Sequence, residues 1–395
     1  MERLLDGIRV LDFTRVLAGP YASMILADLG ADVIKIELPG KGDEARGFGP
    51  FQNGESAYFT SVNRGKKSVT VDLHAPAGQR LARDLAGKCD VLIENFRPGS
   101  MKRFALGYDE LHARYPQLVY ASVSGFGQTG PYSERPAYDV IIQAMGGLAS
   151  ITGAPGGEPV RVGSSIGDLS AALFSVIGIL AAVARAHKTG QGQQVDVSML
   201  DCQVAMLENA ISRYYVTGEV PAPLGSRHPS ITPFQFFRAA DGHVVVAAGN
   251  DSLWSRLCGA LGVTELANDQ RFATNALRTE NQAELERSLE IVFATQSVQD
   301  WCEVLAAAGV PCGPIHNVKQ VVEDPQVQAR QMIVELIHPR AGKQAQPNSP
   351  LKFSDTPVVL SCPAPLLGEH TVDVLGRLLG LDADVVAALS TAGVV

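Results

Sequence analysis

Residues 8–37, IRVLDFTRVLAGPYASMILADLGADVIKIE, contain the pattern that decides the fold. An apolar strand is predicted at Ile8–Asp12, a helix at Tyr21–Leu29 and a second apolar strand at Val33–Ile36. A proline precedes the helix and a glycine follows it, which is the usual asymmetry of helix ends. The segment is therefore predicted to form one βαβ unit with parallel strands.

The next region repeats this alternation of strands and helices. Strands are predicted at Ser68–Val71, Val91–Ile93 and Leu118–Val123, and a helix at Ala77–Ala86 separates the first two. Such alternation is typical of α/β proteins with a doubly wound parallel sheet, where ligands bind beyond the carboxyl ends of the strands. Loops rich in Gly, Pro and charged residues follow predicted strands at residues 14–20, 37–40 and 94–99.

Composition restricts the classes of protein to consider. The chain has 395 residues, of which 46% are hydrophobic and 19% charged, enough for about two or three folded domains. The formal net charge of −8 argues against a nucleic-acid partner, whose binding surfaces are basic. The six cysteines show neither metal-ligand nor disulfide-framework spacing, which indicates reduced thiols and a cytoplasmic location.

Association with a membrane is not expected. The N-terminal residues lack a basic region followed by an apolar core, so no signal peptide is predicted. The longest apolar stretch, Leu169–Ala184, has 16 residues, fewer than the ~20 that span a bilayer. It is predicted to be a buried core helix.

The pattern changes after Asp201. Residues 203–215 are predicted to be helical, and a Pro- and Gly-bearing stretch at residues 218–233 is predicted to link them to a second unit at about 234–330. That unit contains a predicted strand at Val244–Ala248 and helices at Leu253–Leu261, Gln282–Phe293 and Val298–Ala308. The chain from Ile333 onward is less regular and ends with a predicted helix at Val372–Leu379.

Most common catalytic motifs are missing. GFGQTG at residues 125–130 has the glycine spacing of a dinucleotide-binding loop, but prolines follow where that motif needs a helix, so we interpret it as a glycine-rich loop. The eight histidines lack metal-ligand spacing and no GxSxG motif occurs, so neither a metal site nor a serine hydrolase is predicted. Basic clusters at residues 64–67 and 97–103 fit either phosphate binding or solvated surface charge.

The stretch VGSSIGDLS at residues 162–170 places Asp168 at the start of the long apolar helix. An aspartate at this position commonly caps the helix by accepting backbone N–H groups. A carboxylate at the mouth of a buried helix is also suited to act as a nucleophile that forms a covalent acyl intermediate. The local sequence leaves both roles open.

Several stretches together resemble the class III CoA-transferase family, of CaiB/BaiF type, which also contains the α-methylacyl-CoA racemases. They follow the family's order from about residue 5 to the C-terminus and are LDFTRVLAGP (11–20), GADVIKIE (30–37), NRGKKS (63–68), ENFRPG (94–99), SGFGQTGP (124–131) and GDL (167–169). The chain is most similar to the branch of succinate–hydroxymethylglutarate (glutarate) CoA-transferases, including Gly249-Asn250 and LLGEHT (366–371).

The resemblance implies roles for individual residues. In the family, the aspartate that matches Asp168 is the catalytic nucleophile. The positions that match CoA-binding residues are Val16, Leu17, Ala18, Leu38, Val71, Asp72, Leu73, His74, Asn95, Phe96, Arg97 and Arg103. The positions that match substrate-contacting residues are Ala137, Tyr138 and Asp139.

Departures from the family's pattern bear on the ligand. Leu38 stands where relatives often have arginine, and His74 where some have lysine, so contacts to CoA phosphates differ. Leu17 replaces the glutamine of oxalate-specific relatives, and their run of glycines has no counterpart, which favours a C4–C6 dicarboxylate over oxalate. A second carboxylate needs a cationic partner. The candidates for it are Arg46, Arg64 and Arg227.

The resemblance also implies a reaction. CoA passes from an acyl-CoA donor, succinyl-CoA in this branch, to a carboxylic acid through an aspartyl anhydride and an aspartyl–CoA thioester. No tightly bound cofactor is implied, since the CoA thioester is a co-substrate. The start of a helix favours the ionised form of a carboxylate such as Asp168.

The fold that the resemblance implies is α/β. A Rossmann-like doubly wound parallel sheet forms the large domain at residues 1–200, to which residues 335–395 return. A linker at 201–224 leads to a smaller inserted α+β domain at 225–330. Two chains interlock as a homodimer in the family.

Two other functions stay open. One is an acyl-CoA racemase or isomerase that uses general acid–base chemistry. That branch has its catalytic histidine where this chain has Tyr138, which disfavours proton abstraction. The other is a non-catalytic CoA-binding paralogue, which the intact Gly167-Asp168 disfavours.

Overall fold

The computed structural model describes residues 3–360 and 362–395 and divides into two compact units. The first unit comprises Met1–Leu148, Arg161–Thr217 and Gln326–Val395, and the second comprises Ala149–Val160 and Gly218–Pro325. The domain boundaries drawn from the sequence stay predictions. Residues 1 and 2 of the predicted 1–200 range and residue 361 of the predicted 335–395 range lie outside the described residues.

The strands of the described residues are short and occur throughout the chain. In chain order they are β1 (Arg9–Asp12), β2 (Asp32–Glu37), β3 (Phe51–Gln52), β4 (Glu55–Ser56), β5 (Lys67–Thr70), β6 (Val91–Glu94), β7 (Val119–Ser124), β8 (Gln194–Ser198), β9 (Phe234–Arg238), β10 (His243–Ala247), β11 (Cys312–Pro314), β12 (Ile333–His338) and β13 (Gly342–Pro347).

Helices connect most of these strands. In chain order they are α1 (Ala18–Asp28), α2 (Ala57–Val62), α3 (Pro76–Ala86), α4 (Ser100–Arg103), α5 (Tyr108–Arg114), α6 (Asp139–Met145), α7 (Leu148–Ile151), α8 (Ile166–Thr189), α9 (Met199–Met206), α10 (Asn209–Thr217), α11 (Asp251–Leu261), α12 (Thr264–Asn268), α13 (Asn275–Glu280), α14 (Gln282–Phe293), α15 (Val298–Ala307), α16 (Val318–Glu323), α17 (Pro325–Ala329), α18 (Thr371–Leu379) and α19 (Ala383–Thr391). Short 3₁₀ turns occupy Glu44–Gly47 and Gln270–Phe272.

A six-stranded parallel sheet organises the first unit, which confirms the predicted sheet. Its order is β5-β2-β1-β6-β7-β8, and every neighbouring pair is parallel. Numbered along the chain, this order is 3-2-1-4-5-6, that of a Rossmann-type sheet. The direction of winding reverses between β1 and β6, so the crevice beyond the ends of these two strands is the expected position of a ligand.

Apolar cores cover both faces of this sheet. Successive side chains of a strand point to opposite faces, and accordingly Val10 belongs to one apolar cluster and its neighbour Leu11 to the other. Helices α1, α8 and α9 contribute to the first cluster. Helices α3, α5, α18 and α19 contribute to the second, so the C-terminal segment completes the core of the first unit.

Helix α8 extends beyond the predicted 169–184 at both ends. It has 24 residues, and within the described residues it is the one helix long and apolar enough to cross a membrane, with a mean hydropathy of 2.1 in its most apolar window. Half of that window is buried. One face packs in the first apolar cluster, as expected of a core helix, whereas Leu173, Phe174 and Ile177 are exposed.

The second unit has its own core. Its antiparallel sheet has the order β11-β10-β9, and Trp254, Phe272, Phe293 and Trp301 fill the core beside it. The Arg278 side chain is buried in this unit and donates hydrogen bonds to two backbone carbonyls and to Asp251.

Some predicted elements differ from the structure. Helix α1 starts at Ala18, before Pro20, because a proline in the first helical turn interrupts no helical hydrogen bond. The helix expected at residues 203–215 is two helices, α9 and α10. Strands β12 and β13 form a hairpin in the segment expected to be irregular, and α19 follows the helix expected to be the last.

Candidate active site

The start of helix α8 places Asp168 at a cavity of about 510 Å³. Asp168 is the third residue of the helix, and Ser165 occupies the position before its first residue, so the capping role considered for Asp168 is wrong. The cavity lies beyond the ends of β1, β6 and β7, where the winding of the sheet reverses. Its lining comprises Arg15, Val16, Leu17, Ala18, Glu44, Phe48, Asn95, Val123, Ser124, Gly125, Ala137, Tyr138, Asp168 and Met199.

A buried carboxylate, Asp139, supports the turn that carries Asp168. Its Oδ1 accepts a hydrogen bond from the Gly167 N–H at 2.8 Å, and its Oδ2 accepts one from Gln143 Nε2 at 2.8 Å. A Cβ at residue 167 would lie 3.0 Å from Asp139 Oδ1, so a glycine fits this position best. Asp139 thus positions the residue that precedes the candidate nucleophile.

The carboxyl group of Asp168 has an unusual affinity for protons. Burial, and then the negative charge of Asp139, raise the pKa of Asp168 to about 7. Within residues 3–360 and 362–395 its carboxylate makes no hydrogen bond or ion pair. The helix start was expected to favour the ionised form, but burial and Asp139 outweigh that effect.

The loop after β1 adopts a strained conformation. Val16 has φ = 67°, which is rare for a β-branched residue. Its N–H donates to Asp43 Oδ1 at 3.0 Å, and Asp43 Oδ2 lies 2.9 Å from Lys35 Nζ. Lys35 Nζ also donates to the Thr14 carbonyl at 2.6 Å. Burial favours the neutral form of Asp43, but the positive charge of Lys35 outweighs burial and holds the pKa of Asp43 below its usual value. The pair is therefore charged, and it fixes the loop.

Arg15 links the ends of β1 and β6. Its N–H donates to Asn95 Oδ1, and Asn95 Nδ2 donates to its carbonyl, both at 2.8 Å. The Arg15 guanidinium lies 4.4 Å from the centre of the Phe96 ring and donates to Glu44 at 2.5 Å. Arg15 lies in the LDFTRVLAGP stretch, but the sequence assigned no role to it or to Glu44, because the contacts among Arg15, Glu44 and Asn95 join segments that are distant in sequence.

A second cavity of about 490 Å³ begins at the same ion pair. Arg15 and Glu44 line both cavities, so the two spaces adjoin at these residues. The predicted CoA-binding residues that line the second cavity are Leu38, Val71, Leu73, His74 and Phe96. Those that line the cavity of Asp168 are Val16, Leu17, Ala18 and Asn95, together with the predicted substrate contacts Ala137 and Tyr138.

Four predicted site residues line neither cavity. Asp139 is buried and hydrogen-bonded to the Gly167 N–H, and the side chain of Asp72 accepts a hydrogen bond from the His74 N–H. Arg103 donates to Ser100 Oγ, and Arg97 lines a separate cavity of about 170 Å³. The roles assigned to all of the predicted site residues, including those that line a cavity, stay predictions.

The arginines expected to bind a second carboxylate already have partners. Arg46 donates twice to Glu37, and Arg64 donates twice to Asp28. Arg227 donates to Gln282 in the second unit. None of the three lines the cavity of Asp168.

The basic cluster at residues 64–67 belongs to the protein interior. Lys66 is buried and donates to Asp12, and Lys67 donates to Asp32. Neither of the two predicted roles, phosphate binding and solvated surface charge, applies to the buried residues Arg64 and Lys66. In the described part of the chain, no group of three or more His, Cys, Asp or Glu side chains is arranged to hold a metal ion.

A Rossmann-type sheet with an unpaired carboxylate in its ligand crevice is the framework of an α/β enzyme. The chain belongs to CoA-transferase family III, whose model matches residues 5–371. It is 41% identical to the succinyl-CoA:glutarate CoA-transferase of Mus musculus over 99% of this chain and 90% of that protein.

Other relatives extend the comparison. The chain is 43% identical to the acetyl-CoA:oxalate CoA-transferase of Acetobacter aceti, over 88% of this chain and 89% of that protein. The crystal structure of a CAIB/BAIF family protein from Brucella suis is similar, with a TM-score of 0.84, 40% identity and coverage of 96% of this chain and 100% of that one. The protein is therefore an enzyme of the CoA-transferase class.

Proposed function

We propose that the enzyme transfers CoA from succinyl-CoA to a C4–C6 dicarboxylate through covalent intermediates on Asp168. The observation that carries this proposal is the position of Asp168, whose unpaired carboxylate lines one cavity while predicted CoA-binding residues line the adjoining one. A bound acyl-CoA is then expected to occupy both cavities, with its thioester near Asp168. The proposal uses no tightly bound cofactor.

The proposed reaction is a series of acyl exchanges that needs no net proton transfer. The Asp168 carboxylate attacks the donor thioester carbon, the C–S bond breaks, and CoA thiolate leaves a mixed anhydride. The thiolate attacks the aspartyl carbonyl carbon, which breaks the anhydride C–O bond, releases the donor acid and forms an aspartyl–CoA thioester. The acceptor carboxylate then repeats these steps in reverse, which divides one difficult exchange into easier ones.

The electrostatics of Asp168 suit this series. Only the ionised carboxylate attacks, and a pKa of about 7 leaves about half of it ionised at neutral pH. A carboxylate without hydrogen-bond partners keeps its lone pairs available for attack. A raised pKa also increases the nucleophilicity of the ionised group.

The choice of acid rests on the relatives and on Leu17. The mouse relative is named for glutarate and the Acetobacter relative for oxalate, so overall identity does not separate these acceptors. Leu17, an apolar residue, lines the cavity of Asp168, where oxalate-specific relatives have a glutamine. This difference supports a larger diacid.

The racemase alternative needs a second acid–base group at the site. The residues that line the cavity of Asp168 include no histidine, and Tyr138 occupies the position of the racemase histidine with 74% of its surface exposed. These observations support transfer. Exchange of the α-hydrogen of an acyl-CoA with deuterium from solvent would instead support the racemase.

We propose further that the enzyme is an interlocked homodimer in the cytoplasm. Exposed apolar side chains support a partner chain, among them Ile177 on α8 at 62% and Val216 on α10 at 86%. The cysteine thiols, which are scattered along the chain, support the cytoplasmic location. Light scattering after gel filtration would test the dimer, and a monomeric mass would refute it.

Thioester exchange tests the proposed function. Succinyl-CoA is supplied with a panel of mono- and dicarboxylates, and new acyl-CoA products are measured by mass spectrometry. We expect wild type and the surface control Asp84→Asn to convert C4–C6 dicarboxylates, and Asp168→Ala to lose at least ~10³-fold in rate. Exchange that survives in Asp168→Ala removes the assignment, and no exchange with any acid or CoA donor refutes the transferase.

A further inference from the structure

We infer that Arg15 is the specificity-determining residue that binds the distal carboxylate of the dicarboxylate substrate. This inference rests on the proposed function, which it deepens by naming the cation that a second carboxylate needs. The three arginines that were named from the sequence as candidates have other partners. Arg15 stands apart from them by its place between the two cavities.

The positive charge of Arg15 distinguishes it from the other residues that line the cavity of Asp168. All residues that line the cavity of Asp168 lie in the described part of the chain, and Arg15 is the only Lys or Arg among them. The distal carboxylate of a diacid must lose part of its hydration in such a space, which is costly without a cation. A guanidinium binds a carboxylate through two parallel N–H donors, so it suits this task.

The Arg15 guanidinium has N–H donors that no group in the described part of the chain uses. One terminal nitrogen of Arg15, Nη1, donates to Glu44, and within residues 3–360 and 362–395 neither the other terminal nitrogen, Nη2, nor the buried Nε has a hydrogen-bond partner. A guanidinium has five N–H donors in a fixed plane. Arg15 can therefore keep Glu44 on one edge and accept a substrate carboxylate on another.

Arg15 is also rigidly positioned. The backbone of Arg15 is held on both sides by Asn95, and its guanidinium lies over Phe96. The arginine side chain is 41% exposed, so it is accessible from the cavities. Binding a carboxylate to an arginine that is already oriented loses little conformational entropy.

Glu44 is expected to set the strength of this selection. Its carboxylate shares the guanidinium with the substrate and repels a second negative charge beside it. A dicarboxylate long enough to place its distal group on the free edge avoids that repulsion. A short diacid such as oxalate keeps both carboxylates next to Asp168.

The test compares pairs of substrates that differ only in the distal carboxylate. Glutarate and pentanoate serve as acceptors, and succinyl-CoA and butanoyl-CoA serve as donors. For Arg15→Gln we expect the KM of glutarate and of succinyl-CoA to rise about 10- to 100-fold, while values for pentanoate and butanoyl-CoA change less than about threefold. Arg15→Lys is expected to restore part of the loss, and Arg114→Gln on the surface to change nothing.

Other outcomes overturn the inference. An equal loss for all four substrates would mean that Arg15 serves CoA binding or the fold, and unchanged KM values would mean that it has no role in selection. Wild type that exchanges CoA with no acid would refute the proposed function instead. A binding assay distinguishes failure of the inference from failure of the proposed function. Glutarate, but not pentanoate, should raise the Tm of wild type, and Arg15→Gln should abolish that increase.

Discussion

Replacement of Asp139 by asparagine is expected to make the enzyme more active at acidic pH. The negative charge of Asp139 is the second of two causes that raise the pKa of Asp168, after burial. Asparagine removes this charge and keeps an oxygen that accepts the Gly167 N–H. The pKa of Asp168 should therefore fall, and its nucleophilic ionised form should persist to lower pH.

The magnitude follows from the environment of Asp168. Its pKa of about 7 stands about three pH units above the ordinary value of 3.8. Because burial is the larger cause, Asp139 accounts for less than half of this difference, and the substitution should lower the pKa by about one pH unit. At pH 6 the ionised fraction would rise from about 0.1 to about 0.5, or about fivefold.

The assay is kcat/KM as a function of pH, which reports ionisations in the free enzyme. The acidic limb of Asp139→Asn should lie about one pH unit below that of wild type, whereas Asp84→Asn should match wild type. An acidic limb that moves to higher pH, or stays in place while the variant remains folded, would refute the reasoning.

Three further predictions concern stability and CoA binding. Asp168→Asn should raise the free energy of unfolding at pH 8 by about 2–4 kcal/mol, because a raised carboxyl pKa destabilises the folded state as pH rises from 3.8 through about 7. The gain should vanish near pH 4. Urea unfolding at several pH values measures it, and a gain that persists at pH 4 would contradict the prediction. Asp43→Ala should cost about 3–5 kcal/mol in the same assay, because Lys35 stays buried without its partner; a cost below about 1 kcal/mol would show that the pair does not hold the loop. Leu38→Arg should tighten CoA binding about five- to tenfold in calorimetry at low salt, because Leu38 lines the cavity assigned to CoA; affinity that is unchanged or independent of salt would argue against that assignment.

The parallel sheet could be predicted because its strands carry their signal locally. Apolar runs such as Val33–Ile36 alternate with helices whose ends are marked by Pro and Gly. The hairpin of β12 and β13 lacked this signal, since β13 has the polar sequence GKQAQP. The pairing of β13 with β12 is not apparent from the sequence of either strand alone.

The candidate nucleophile could be predicted, but its surroundings could not. Asp168 lies in a motif that resembles the family, whereas Lys35 looks like an ordinary charge within an apolar strand. The fold buries Lys35 completely and places it beside Asp43. Arg15 likewise gains its role from Asn95, 80 residues away in the chain. Such contacts between distant segments decide where charges lie, and local sequence does not record them.

The most direct test of the covalent mechanism is the mass of the enzyme after incubation with succinyl-CoA and rapid quenching. The proposed mechanism predicts a mass increase equal to CoA less one water, located on the peptide that contains Asp168 and absent from Asp168→Asn. An adduct on another residue, or turnover without any adduct on Asp168, would contradict the proposed mechanism.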